Sequence, residues 1–346
     1  MKKLAYSVIG IGGILTILIL AQNIFIPFVY GIILWFLGRF FKNLLHKVPF
    51  LKKRVPNWLI NTFIFVIIVL GISAISKLIA DNISSLLANS ETYKANLDTV
   101  LNQLNTTFQI NLSEEITKTL ADFDYTTILG NIADALSGVL GDLVMIVLYA
   151  VFILAEEASL SEKIKKLFDS EEKYHKAATI LSRINDSFSD YIRLKTYLSL
   201  LTGAVGYVFL SIMGVDAAFF WAFLMFALNY IPTIGSLIAT LFPAFFSLIQ
   251  FGEIRPFIII LAGLGVIEWF IGNVLEPKLM GKSLNLSPLV TILALVVWGQ
   301  IWGITGMLLS TPITVVMVII FSQFNSTRSV AILLSENGDI DEIYSS

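Results

Sequence analysis

Cysteine is absent from the 346 residues. That excludes disulfides, thiolate metal sites and cysteine nucleophiles at once. Histidine is almost absent too. His46 and His175 are the only two and lie far apart in the chain, so no histidine-ligated metal centre is expected. Charge is scarce: Asp, Glu, Lys and Arg make up 14%, against about 25% in an average soluble protein. With a net charge of −2 there is no global basic field, and no nucleic-acid partner is expected. Catalytic signatures are missing as well. No metalloprotease helix motif and no serine nucleophile elbow occurs. Gly281-Lys282-Ser283 imitates the end of a phosphate-binding loop, but Glu276 stands where the first glycine belongs. The expectation is therefore a protein that is not an enzyme and carries no cofactor.

What the chain has is apolar surface. Hydrophobic residues make up 56%, and the mean hydropathy is +0.82. A soluble core cannot absorb that excess, and lipid is its natural solvent. The N-terminal Met1, Lys2 and Lys3 precede an apolar run, which is also the shape of a signal peptide. No small-residue cleavage site follows, and apolar residues resume at Ile24, so the run reads as a first membrane helix. A span needs ~20 mostly apolar residues. Candidates lie at 5–20, 24–41, 58–78, 140–155, 196–213 and 256–274. Two further apolar stretches, 217–250 and 288–321, are too long for one helix each. The expected fold is all-α, a polytopic membrane protein of about eight transmembrane segments, two of them broken or hairpin-like.

The expected organisation runs as follows. Residues 1–79 form three N-terminal membrane helices around a basic loop at 39–57. Residues 80–138 are an extracytoplasmic helical segment, 139–155 a fourth membrane helix and 156–195 a cytoplasmic amphipathic helix. Residues 196–322 are the transport core, and 323–346 a cytoplasmic tail. Tyr93, Leu97, Val100, Leu101, Leu104 and Phe108 keep helical spacing, as do Tyr174, Ala178, Leu181, Ile184, Phe188 and Tyr191. Asn111 with Glu114, and Asp169 with Glu172, have the spacing of capping-box helix starts. These apolar faces call for a lipid or protein neighbour, and a homo-oligomer is expected.

Lysine and arginine set orientation. The loop 39–57 carries Arg39, Lys42, Lys47, Lys52, Lys53 and Arg54 with no acid, so it belongs in the cytoplasm. In 80–138, Lys94 and Lys118 are outnumbered by acids such as Asp81, Glu91, Asp98, Asp122 and Asp124, which places that segment outside. Lys278 and Lys282 put the loop after 256–274 inside. Both termini come out cytoplasmic.

The two overlong stretches carry the strongest functional signal. The first is interrupted at Asn229-Tyr230-Ile231-Pro232-Thr233-Ile234-Gly235, with Pro243 beyond. The second is interrupted at Gly299-Gln300-Ile301-Trp302-Gly303-Ile304-Thr305-Gly306, with Pro312 beyond. Backbone at membrane depth must be hydrogen-bonded or line a cavity, and paired interrupted helices point to a transport site. Glu268 lies deep within an apolar helix, at a cost of ~2.5–3.5 kcal/mol on insertion scales. Such a group is by default functional, here as a proton or Na+ carrier; the alternative is an interhelical hydrogen bond or a shallower position. Asn273, Glu276 and Pro277 close the same helix; Asn273 and Glu276, three apart, should share a face.

Asn229 to Gly235, then Gly272-Asn273-Val274-Leu275-Glu276-Pro277-Lys278-Leu279-Met280-Gly281, Leu284 to Pro288, Gly303 to Gly306 and Ser310-Thr311-Pro312 resemble the autoinducer-2 exporter family of bacterial permeases in order and spacing. The resemblance extends in layout to the N-terminal half. It implies an inner-membrane transporter of eight segments that exports a small polar solute or signal molecule. The absence of a nucleotide-binding motif argues against ATP, so an ion gradient, H+ or Na+, is the expected drive. The resemblance adds sodium/proton antiport as an alternative activity and a pentamer as the assembly. A passive channel or a membrane scaffold is the alternative from another class.

Overall fold

The computed structural model describes residues 2–45, 56–108, 125–280 and 286–338. Several features read from the sequence lie outside them: the Asn111–Glu114 helix start, His46, Lys47, Lys52, Lys53, Arg54, Lys282 and the tail beyond 338. The described chain is built from helices. They are α1 Lys2–Leu20, α2 Gln22–Leu45, α3 Asn57–Ala88, α4 Ser90–Phe108, α5 Tyr125–Lys166 and α6 Glu171–Ile212. The second half holds α7 Ala218–Leu228, α8 Ile234–Phe251, α9 Ile254–Phe270, a π-turn Ile271–Leu275, α10 Glu276–Met280, α11 Pro288–Ser322 and α12 Arg328–Leu334. Six of the described helices are long and apolar enough to cross a membrane. Together they make the chain a polytopic membrane protein.

Several helices run past the ends expected from hydropathy. α3 is 32 residues long, and α5 and α6 are 42 each. At 1.5 Å per residue they reach about 48 and about 63 Å, beyond the ~30 Å of a hydrocarbon core. The boundary anticipated at 79/80 falls inside α3, those at 138/139 and 155/156 inside α5, and that at 195/196 inside α6. The physical reason is simple. A change from apolar to charged side chains marks a bilayer surface, but a helix satisfies its own backbone on both sides of it. The start of α6 also differs in detail. Ser170, not Asp169, caps it, accepting from the Lys173 N–H at 3.4 Å.

The chain divides into two compact units. One comprises 1–66, 142–194 and 280–346, the other 67–141 and 195–279. In the first, α11 packs its Ile301, Trp302 and Leu309 against Leu18, Phe25, Ile26, Val29 and Ile33 of α1 and α2. The Trp302 indole donates to the Leu18 carbonyl at 3.0 Å. The far end of α11 is closed by α12, where Ala331 packs against Val315, Val318 and Ile319.

The second unit has a larger core of Ile79, Ile83, Leu86, Tyr93, Leu210, Phe220, Trp221, Met225, Phe246, Ile260 and Leu264. α4 lies along α8, and one polar clasp fixes the open end of the α7–α8 hairpin. The Gln250 amide accepts from the Asp216 N–H and donates to the Gly214 carbonyl, both at 2.8 Å. Tyr93 donates to the Asp216 carboxylate at 2.8 Å, and Asn96 to the Gln250 carbonyl at 2.7 Å.

Candidate functional site

Each overlong apolar stretch is broken where the sequence predicts. In the second unit α7 stops at Leu228 and α8 starts at Ile234. α7 has 11 residues, about 16 Å, roughly half a bilayer core. Between the two, Thr233 has φ 59° and ψ −55°, and the Ile234 N–H reaches back to the Pro232 carbonyl at 2.6 Å. This is the rare, strained γ-turn, here on a β-branched residue. A Cβ at Gly235 would overlap the Leu228 carbonyl, so only glycine closes the turn. In the first unit α11 kinks at Trp302 and Gly303, the latter at φ 59°, ψ −138°. There a Cβ at Gly306 would overlap the Trp298 carbonyl in the same way. Pro243 and Pro312, one beyond each break, are fully buried.

The break in the second unit lies over a polar face of α6. Lys195, Thr196, Ser199 and Thr202 fall at i, i+1, i+4 and i+7, on one side of the helix. Gly203 and Gly206 on the same helix meet Phe226 and Met225 of α7 closely, which brings the hairpin against that side. Buried Asn229 donates to the Ser199 hydroxyl at 3.0 Å. Tyr230 donates to the Thr196 hydroxyl at 2.7 Å. Lys195, only 4% exposed, donates to Glu276 at 2.6 Å.

Glu268 completes the cluster. It is 7% exposed, and among the described residues its Oε1 has no hydrogen-bond partner. Lys195 and Glu276 both act on it electrostatically. In an ordinary helix two residues eight apart point about 80° away from each other. The intervening π-turn takes in an extra residue and turns Glu276 back beneath Glu268. Pro277 accounts for it. A proline ring collides with the carbonyl four residues back, and widening the turn relieves the collision. The Glu276 N–H accordingly bonds the Ile271 carbonyl, five residues back. The same widening separates Asn273 from Glu276. Asn273 is exposed and donates to the Trp269 carbonyl at 3.1 Å, so the shared face expected from their spacing is not formed.

Of the residues singled out in the sequence, Asn229, Pro232, Gly235, Glu268, Asn273, Glu276 and Pro277 belong to the second unit. Gln300, Gly303, Thr305, Gly306 and Pro312 belong to the first. There Gln300 is exposed, Thr305 shares a hydrogen bond with Tyr30 at 3.2 Å, and the buried Thr311 hydroxyl has no partner. Sequence reasoning missed Lys195, Thr196, Ser199 and Thr202. Their signal was a polar stripe at helical spacing at the start of an apolar helix, where Lys195 passes for an interfacial charge. Among the described residues no group of side chains is arranged to hold a metal ion.

The pattern of the AI-2E family transporter matches residues 7–326. Among similar proteins, the AI-2 transport protein TqsA of Escherichia coli K12 is 31% identical over 320 residues, 91% of this chain and 90% of its own. A Haemophilus influenzae protein, named only for transport, is 30% identical over 97% of both chains. YhhT of Escherichia coli K12, likewise named only for transport, is 30% identical over 82% of both.

Proposed function

Since this chain belongs to the AI-2E transporter family, and is thus a membrane transport protein, we propose that it is a secondary exporter of a small polar solute, driven by cation movement through the cluster of Lys195, Glu268 and Glu276. One observation carries the reading. A carboxylate sits buried in a membrane-spanning helix with an oxygen that no donor contacts, beside a second carboxylate and one lysine. A lone buried charge of that kind is costly, and a passing proton or Na+ relieves it. The interrupted backbone at 229–233, in the same unit as the cluster, offers polar groups for the solute. TqsA is named for AI-2 transport, and a signal molecule of that kind is one member of the solute class proposed.

The cell membrane of a bacterium, with both termini cytoplasmic, is the location this reading needs; the basic loop at 39–57 supports it. A second reading has the cation itself as cargo, as sodium/proton antiport, and the same carboxylates favour it. Flux into inverted vesicles separates the readings. Solute uptake that rises with an imposed proton or sodium gradient supports the exporter. Proton movement driven by sodium without solute supports the antiporter. Flux of solute indifferent to any gradient is a passive channel and ends the proposal, and so does the absence of all flux, the mark of a scaffold.

A further inference from the structure

The cluster contains one cation of its own. Lys195 is almost fully buried, its ammonium lies 2.6 Å from Glu276, and it acts electrostatically on Glu268, whose Oε1 is unpartnered. Lys195 is thus paired directly with Glu276, while Glu268 feels its charge without touching it. The π-turn puts both acids on one side of their helix, towards the α6 side chain that serves them. A lysine stem is flexible and its ammonium is a compact point charge, so it occupies the space that a free monovalent cation would take. The neighbouring Thr196 and Ser199 are already engaged by Tyr230 and Asn229. Among the described residues Lys195 is the cation that pairs with Glu276 and whose charge reaches Glu268.

We propose that Lys195 is a tethered cation that fills the carboxylate pair Glu268 and Glu276 when the site is empty, and that a transported monovalent cation must displace it. The inference rests on the cation-coupled reading above and adds who competes with the cation. It makes Lys195 a specificity-determining residue. It lowers the apparent affinity for the cation, and it spares the empty carrier two uncompensated acids in a buried site. An ordinary structural ion pair would hold the helices together and leave cation affinity untouched.

The test uses the full chain in lipid nanodiscs, with thermal stability followed against NaCl at constant ionic strength. Ligand that binds only the folded protein raises the melting temperature, by an amount that grows with the logarithm of its concentration relative to Kd. A parallel series in sodium-free buffer varies proton concentration instead, so that either cation can report. The expected result is a half-saturating cation concentration at least tenfold lower in Lys195→Met than in the parent. Lys195→Arg keeps the charge and stays near the parent. Glu268→Gln removes the cation effect in the parent and in Lys195→Met alike. If Lys195→Met does not fold, Lys195→Gln, which is neutral but polar, carries the same tenfold expectation.

The tethered-cation proposal falls if Glu268→Gln abolishes the cation effect while Lys195→Met leaves its midpoint unchanged. If neither sodium nor protons stabilise any of these proteins, or if Glu268→Gln responds like the parent, the cation-coupled reading falls and takes this proposal with it.

Discussion

At the scale of single residues, Glu268 and Thr233 are held in positions that ordinary folding does not favour. Glu268→Gln keeps the shape and removes the charge. The expected outcome is loss of gradient-driven transport, measured in inverted vesicles, with solute exchange retained and the pH profile flattened. A purely structural Glu268 predicts lowered expression and an unchanged profile. Thr233 stores strain of about 1–3 kcal/mol in its γ-turn. Thr233→Gly should release part of it, raising the melting temperature, while the rate of transport falls because the turn is no longer biased. Glu268 was legible in the sequence because a lone acid among apolar residues stands out. Lys195 was not, because a lysine where an apolar run begins looks like an interfacial charge. Only the packed side chains show it turned inward to Glu276.

Elements show the same division between what pattern reveals and what geometry decides. The two breaks could be read from their glycines and prolines, since backbone preferences are local. The π-turn could not. Pro277 marks a helix boundary in sequence, yet the chain here absorbs it by widening one turn and continuing. Helices run on past the apolar stretches for a related reason: hydropathy reports the solvent and not the hydrogen bonds. The hairpins give a direct test. Gly235→Ala and Gly306→Ala each place a methyl group on a backbone carbonyl. Each should cost about 1–3 kcal/mol or prevent folding, read as melting temperature and yield in detergent. Gly303→Ala adds strain of similar size through its positive φ. Together with Pro232→Ala it should reduce transport more than expression.

For the whole molecule, topology and assembly are the open quantities that sequence charge and exposed apolar faces address. Because the chain has no cysteine, Asn89→Cys and Glu162→Cys provide single labelling sites. An impermeant thiol reagent on intact cells should label the first and spare the second; the reverse pattern inverts the proposed orientation. A native mass in nanodiscs above one protomer would support a homo-oligomer, and a monomer would count against it. The clasp around Gln250 has a mechanical corollary. It ties Asp216, Gly214, Tyr93 and Asn96 together at one end of the α7–α8 hairpin, whereas residues 229–233 form the other end. The hairpin is therefore a cantilever, anchored at its root and loaded at its tip. Bending concentrates at the root while displacement is largest at the tip. Asn229 and Tyr230 pin that tip to the polar face of α6, so these two hydrogen bonds are the ones a flexing beam would load first.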